Sequence, residues 1–338
     1  MSSVLIIAEA GVNHNGSIEK AMELIKLAKE CGADVVKFQT WVTEELISLD
    51  APKAAYQISN DESLSQFEML KKLELSFEDF RKLKKYADEI KINFLSTPDE
   101  EKSLDFLVDD LEMKLIKVGS GEVTNIPYLK KIGQKKLPVI LSTGMSYLSE
   151  VEKAYYTLLE SGALEVTILH CTSNYPASFE SVNLHAMITI RDAFKVKVGY
   201  SDHTVGNEVS IAAVALGASV IEKHFTLDKN LPGPDHKASI NPEELRLLVK
   251  EIRNIEAALS GNGIKAPAKE EVDTKKVVQK GIYFNKDLKA GSIIKIEDLT
   301  FKRPVGAGLP ASEYLFIVGR SLKKDMIKGE LINLNIIQ

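Results

Sequence analysis

The chain has 338 residues, 44% hydrophobic and 27% charged, with 43 basic against 48 acidic side chains and a net charge of −5. That is ordinary for a globular enzyme with one large domain and a small one, whose core needs no cross-links. It lacks the basic excess of a nucleic-acid or membrane-surface binder, and no apolar run is long enough for a membrane span, so neither partner is expected.

The opening "MSSVLIIAEAG" has no basic segment and no cleavage site, and Cys31 and Cys171 are the only cysteines. A reducing, cytoplasmic setting is therefore expected. Short β-branched runs follow at 4–10, 33–40, 92–98, 115–122, 138–144, 166–172, 197–203 and 219–226. Stretches of helical period alternate with them, among them 17–31, 76–91, 149–162, 206–217 and, after the cap-like "NPEE", 241–260. Eight β-then-α units in this length predict an α/β fold, a (β/α)₈ TIM barrel. A doubly wound sheet is the alternative. It is disfavoured because no GxGxxG follows the first strand and every run ends in polar residues, as a barrel mouth requires.

Residues 41–75 lengthen the loop after the second strand with "APKAAYQISN" and an amphipathic segment, and long loops on that face usually cap a site. After Ser260 the chain turns polar. The reading is a barrel over 1–262, a linker over 263–277 and a small, mostly β domain over 278–338 with strand-like runs "GIYFN", "GSIIKI", "LTFKRP", "LFIVGRSL" and "LINLNII". A domain that small leans on the barrel or on another chain.

Side chains alternate along strands, so Lys37 and Gln39 share one face, and Lys117 opposes Ile116 and Val118. Lysines at strand ends either escape to solvent or bind an anion. Small hydroxyl and glycine residues at the same height favour the anion: Ser96 and Thr97, "GSGE" with Ser120 and Glu122, "STG" from Ser142, and Ser201. His203 ends the seventh run and His224 the eighth. Strands about 4.8 Å apart let two such imidazoles reach one metal, although a lone histidine there is more often a core residue. Two histidines leave coordination to water, substrate or a carboxylate, which suits catalysis. Glu9 ends the first strand, as a rim ion-pair partner or a catalytic carboxylate. Asn13 and His14 read equally as site residues or as turn formers, and His170 as a core residue.

The ordered series "EAGVNHNG", "VKFQT", "STP", "IKVGSGE", "LSTGM", "LHCTSNYP", "SDHT", "EKHFTLD" and "GPDH" resembles the sialic acid (N-acylneuraminate, nonulosonate) synthase family. "DLKAGSII", "LTFKRP", "VGRSL" and "IKGELI" are similar to that family's C-terminal antifreeze-like (SAF) domain of β-clip type. The resemblance implies condensation of phosphoenolpyruvate with an N-acylated hexosamine. Phosphoenolpyruvate would be held by Lys37, Thr97, Lys117, Ser120, Ser142 and Ser201, and a divalent cation, Mn²⁺ or Mg²⁺, by His203 and His224. Glu9, Gln39, Tyr175 and Asp235 would line the sugar site. It also implies a domain-swapped homodimer in which Arg303 reaches the partner's sugar. Glu9 is the first candidate for the proton-moving carboxylate and Glu122 the second. Two positions depart from the family pattern: Ser173 stands where Asn is common, and "VGAG" follows "KRP".

Two other readings compete. Synthases of 3-deoxy-heptulosonate or octulosonate type share the barrel and chemistry but generally lack the C-terminal domain and the "GPDH" loop. A non-catalytic sugar-binding protein would not need the ring of lysines and histidines. N-acetylmannosamine and a 2,4-diacetamido-trideoxymannose both remain as acceptors, leading to N-acetylneuraminate or legionaminate, and the pseudaminate branch is disfavoured on "LPGPDHKAS".

Overall fold

A computed structural model describes residues 3–52 and 65–338. The chain forms two compact units, Met1–Ser260 and Gly261–Gln338. Among the described residues, no helix is long and apolar enough to cross a membrane.

The first unit contains the eight expected parallel strands: β1 (Leu5–Gly11), β2 (Val35–Thr40), β3 (Asn93–Pro98), β4 (Ile116–Val118), β5 (Val139–Ser142), β6 (Val166–Cys171), β7 (Val198–Asp202) and β8 (Val220–His224). They pair in the order β3-β2-β1-β8-β7-β6-β5-β4. β3 and β4 lie side by side without a hydrogen-bonded ladder, so the barrel is nearly closed.

The helices form where apolar spacing and caps coincide. In Ile18–Cys31, Ala21, Leu24, Ile25 and Ala28 are buried along one stripe, Ser17 caps the start, and Gly32 ends the helix at φ 87°. In Pro242–Leu259, Asn241 and Glu244 form a capping box and Leu245, Leu248 and Ile252 face inward. These stripes cover the outer faces of strands whose every residue but three is buried in β1, β2, β6, β7 and β8 taken together, as expected of a parallel sheet covered by helices.

Most of "APKAAYQISN" lies outside the described residues. The rest of that insertion forms helices Thr43–Leu46 and Gln66–Leu73 around a small cluster of Val12, Trp41, Met69 and Leu73. Its contact with the turn after β1 is tight: at Gly16 (φ 73°) a Cβ would stand 2.5 Å from the Lys72 carbonyl oxygen, which leaves room only for glycine.

In the second unit the polar stretch after Ser260 contains a helix, Glu271–Val278. β9 (Gly281–Phe284) then pairs antiparallel with β10 (Leu299–Lys302), and isolated bridges tie Tyr283 to Leu331, Leu288 to Met326 and Ile293 to Ser321. Ile282, Phe284, Ile294, Leu299, Ile317 and Ile332 lie in its core. The run "LFIVGRSL" departs from the strand reading: Tyr314–Ile317 is helical. The preceding "LPASE" supplies the proline, serine and acidic residues that start a helix, and the strand character of the apolar run alone concealed this.

Candidate active site

Strand register brings the charged residues to one level. Glu9 pairs with Lys37 on β2 and with His224 on β8, and Ser201 pairs with Glu222. A bulge between Glu9 and Gly11 shifts β1 against β2 where Glu9 enters the lumen, the kind of local kink that re-aims a side chain beside a site. Lys37 and Lys117 are each 2% exposed, Glu9 1% and Glu222 4%, so all four charges need partners.

They find them in one network. Lys37 Nζ lies 2.8 Å from Glu9 Oε2 and 3.8 Å from Glu222 Oε2, and donates to Thr97 Oγ1 at 3.1 Å. Lys117 Nζ lies 3.5 Å from Glu222 Oε1 and donates to Ser142 Oγ at 2.8 Å. Ser201 Oγ donates to Glu222 Oε1 at 3.1 Å, and Gln39 Nε2 to Glu9 Oε1 at 3.3 Å. Gly144 N donates to Ser120 Oγ at 2.9 Å. A Cβ on Gly144 would stand 2.1 Å from Ser173 Oγ and 3.0 Å from Ser120 Oγ, so Ser120 and Ser173 meet over a glycine backbone.

The two carboxyls of this network are pulled apart. Burial pushes Glu9 up to about 7, only partly offset by Lys37, and Glu222 adds to the rise. Burial also acts to raise Glu222, but Lys117 and Lys37, with the hydrogen bond from Ser201, overcome it and hold it down at about 2. Lys37 is depressed by burial yet ends above its ordinary value because Glu222 and Glu9 flank it; Lys117 stays lowered by burial and by Lys37. The result is one carboxylate fixed as an anion and one poised near neutrality, a division that suits acid–base chemistry.

Beside this network stand two imidazoles. The His203 and His224 rings are 5.3 Å apart between centroids, and Tyr175 packs against both, 4.1 Å from His203 and 5.4 Å from His224. His203 Nδ1 is 2.7 Å from the Thr172 carbonyl oxygen, which fixes the ring and leaves Nε2 for another partner. His224 Nδ1 is buried with no hydrogen-bond partner among the described residues, and Asp235 Oδ2 lies 3.7 Å from it. Burial and His203 keep His224 well below its ordinary range, hence neutral. Two buried imidazoles, each with an unspent nitrogen, fit a divalent cation. Among the described residues no three His, Cys, Asp or Glu side chains converge as a ligand set, so water or substrate would complete the coordination.

A family model described as the NeuB family matches residues 24–265, and one described as the SAF domain matches residues 279–335. The chain belongs to the NeuB family. It is 49% identical over 337 residues, 98% of this chain and 99% of the relative, to the N,N'-diacetyllegionaminic acid synthase of Campylobacter jejuni. It is 50% identical over 331 residues, 96% and 92% of the two chains, to the N,N'-diacetyllegionaminic acid synthase of Legionella pneumophila. Among solved structures, the N-acetylneuraminic acid (sialic acid) synthetase of Leptospira borgpetersenii in complex with citrate superposes with a TM-score of 0.71 at 33% identity, covering 81% of this chain and 90% of that one.

In this NeuB-family chain the other expected residues fall as follows. Asp235 is 7% exposed, and burial pushes its carboxyl up to about 6. Its loop is anchored by the fully buried His236, whose Nδ1 meets Thr226 Oγ1 at 2.7 Å and whose Nε2 meets Asn15 Oδ1 at 3.1 Å. Asn13 Nδ2 donates to the Phe225 carbonyl and to Ser239 Oγ, both at 2.8 Å, so Asn13 and His236 both clamp the loop to the turn after β1. Glu122 is half-buried and accepts from Asn125 Nδ2 at 2.7 Å. His170 Nε2 is tied to the Val182 carbonyl at 2.7 Å. Asn174 is exposed and donates to the Pro176 carbonyl. Arg303 is exposed in the second unit.

Two residues were not singled out from sequence. Cys171, the register partner of Ser201, lies 3.8 Å from His203 Nδ1, and its place at the end of β6 was a usable signal. Asp99, one residue beyond β3, is half-buried. Burial pushes it up to about 7 against the pull of Lys37; the preceding "STP" was the clue to its position.

Proposed function

We propose that this NeuB-family chain condenses phosphoenolpyruvate with an N-acylated hexosamine to give a nonulosonic acid and phosphate, with a 2,4-diacetamido-trideoxymannose as its preferred acceptor and a legionaminate as product. The observation that carries the reading is the buried Lys37–Glu222–Lys117 bridge, ringed by Thr97, Ser142 and Ser201, beside the His203–His224 pair. Two lysines and three hydroxyls at a barrel mouth are a preorganised donor set for phosphate and carboxylate. Near 50% identity to two N,N'-diacetyllegionaminic acid synthases supports the diacetylated acceptor over N-acetylmannosamine.

The mechanism follows from the groups. Lys37 and Lys117, with Thr97, Ser120, Ser142 and Ser201, hold phosphoenolpyruvate and neutralise its charge. Glu9, Gln39, Tyr175 and Asp235 position the open-chain sugar so that its aldehyde carbon faces the enol carbon. A divalent cation, Mn²⁺ or Mg²⁺, held by His203 and His224 supplies Lewis-acid polarisation when bound. The enol carbon bonds to the aldehyde carbon, and the carbonyl oxygen takes up a proton. Water adds to the phosphate-bearing carbon as Glu9 accepts its proton. Phosphate then leaves with the bridging oxygen and takes the proton of the new hydroxyl as that oxygen becomes the ketone, and the lysines stabilise the departing charge.

The reading assigns 1–262 to the catalytic barrel, 263–277 to a linker and 278–338 to the SAF domain. It includes a homodimer in which Arg303 contacts the partner's sugar.

The test mixes protein, Mn²⁺ and phosphoenolpyruvate labelled at the bridging oxygen with a panel of acylated hexosamines. The expected result is label in the released phosphate, with the highest kcat/KM for the diacetamido sugar. No phosphate release with any member would refute the synthase reading, and a preference for N-acetylmannosamine would refute the acceptor.

A further inference from the structure

One buried charge cluster takes no part in that mechanism. β8 ends in Glu222-Lys223-His224, and β7 ends in Ser201-Asp202 with His203 directly after it. Ser201 is paired with Glu222 and Asp202 with Lys223. Alternation turns Ser201, Glu222 and His224 toward the lumen and Asp202 and Lys223 outward, and the His203 ring packs against His224. Outward here does not mean solvent: Asp202 is 0% exposed and Lys223 1%.

The pair is fully engaged. Lys223 Nζ donates to Asp202 Oδ2 and to the Thr204 carbonyl, both at 2.8 Å. Asp202 Oδ1 accepts from Thr204 N at 2.9 Å and Thr204 Oγ1 at 2.7 Å. Ser210 Oγ, on the helix Glu208–Ala215, donates to Asp202 Oδ2 at 2.6 Å. Thr204 is thus held by both its backbone N–H and its backbone C=O. His203 sits between Asp202 and Thr204, and His224 follows Lys223 directly.

A buried ion pair contributes little net stability relative to apolar residues of similar volume, because desolvation offsets the attraction. A ligand set, by contrast, must be held to within roughly 0.5 Å. We propose that Asp202 and Lys223 are positioning residues: their buried pair locks the turn after β7 to the end of β8, so that His203 and His224 face each other at a fixed spacing and receive a divalent cation. This rests on the reading of the two histidines as ion ligands.

The test is Mn²⁺ titration of the full chain, following the electron paramagnetic resonance signal of the free ion. It compares wild type with the double variant D202N/K223M, with H203A and with H224A. The double variant removes both charges, so no lone buried charge is left to unfold the chain. Expected are a melting temperature and an affinity for inorganic phosphate close to wild type, with the Kd for Mn²⁺ raised roughly 10- to 100-fold, the usual cost of losing a group that orients metal ligands. Should the double variant not fold, Ser210→Ala removes one hydrogen bond from the clamp and no charge, and is expected to weaken Mn²⁺ in the same direction. Wild-type Mn²⁺ affinity in the folded clamp variant, with H203A and H224A impaired, would overturn the positioning role alone. Undiminished binding in H203A and H224A would overturn the ion site, and the inference with it.

Discussion

Glu222→Gln isolates the electrostatics of the barrel mouth. Glu222 is the counter-charge both lysines share, at 3.8 Å from Lys37 and 3.5 Å from Lys117. Glutamine keeps the shape and can still accept from Ser201, so the change removes charge and little else. Lys37 retains Glu9, but Lys117 has no other carboxylate within ion-pair distance among the described residues. Leaving one charge of a buried pair uncompensated costs about 3–5 kcal/mol. For a domain of this size, at about 2 °C per kcal/mol, the melting temperature should fall by roughly 6–10 °C. A phosphate dianion between the lysines would restore the missing charge, so saturating inorganic phosphate should close at least half of the gap and stabilise the variant more than the wild type. Differential scanning calorimetry with and without phosphate reads both numbers. An unchanged melting temperature without phosphate, or equal phosphate increments in the two proteins, would refute the shared counter-charge.

Glu9 must lose its proton to act as a base, and burial holds it up at about 7. The wild-type kcat/KM should therefore rise through about pH 7 and level off above it. Glu9→Gln should remove that limb and lower turnover by roughly 10²–10⁴; near wild-type turnover would discard Glu9 in favour of Glu122. Asp235→Asn should raise the KM for the acceptor about 10- to 100-fold, the worth of a charged hydrogen bond, while the KM for phosphoenolpyruvate stays put, as initial-rate kinetics would show. His14, 1% exposed, is held down at about 4 by burial, with His236 adding to the effect. Between about pH 4 and 6.5 the unfolded chain binds the proton and the folded one does not, so stability present above 6.5 is lost as pH falls, by roughly 3 kcal/mol at most. In His14→Gln the drop in melting temperature between about pH 7 and pH 4.5 should shrink by several degrees; an identical drop would assign acid lability elsewhere.

The barrel was legible because its signals are local: eight β-branched runs, each ending polar, and helices marked by caps such as Ser17 and Asn241. The lumen-facing lysines and histidines followed from alternation alone. What alternation does not carry is depth across the sheet. Alternation turns Lys223 outward, and only the helix packed over it makes it a buried partner of Asp202. Alternation puts Glu222 on the same face as His224. Its place between Lys37 and Lys117, however, depends on strands distant in sequence meeting across the lumen. The two hydrogen bonds of His236, to Thr226 and Asn15, give it an anchoring role that only the fold shows. The helix at Tyr314–Ile317 was hidden because a four-residue apolar run has no period to measure.

The unladdered seam between β3 and β4 runs through the proposed anion site. Lys37 and Thr97 stand on one bank, on β2 and β3; Lys117 and Ser142 stand on the other, on β4 and β5. Elsewhere neighbouring strands are joined by amide rungs, but here the side chains face each other across a gap in the backbone lattice. An anion grasped by both lysines would serve as the absent rung. Under the proposed function phosphoenolpyruvate would be cargo and keystone together: the ring would close when it enters, and release of phosphate would loosen the seam through which it was held.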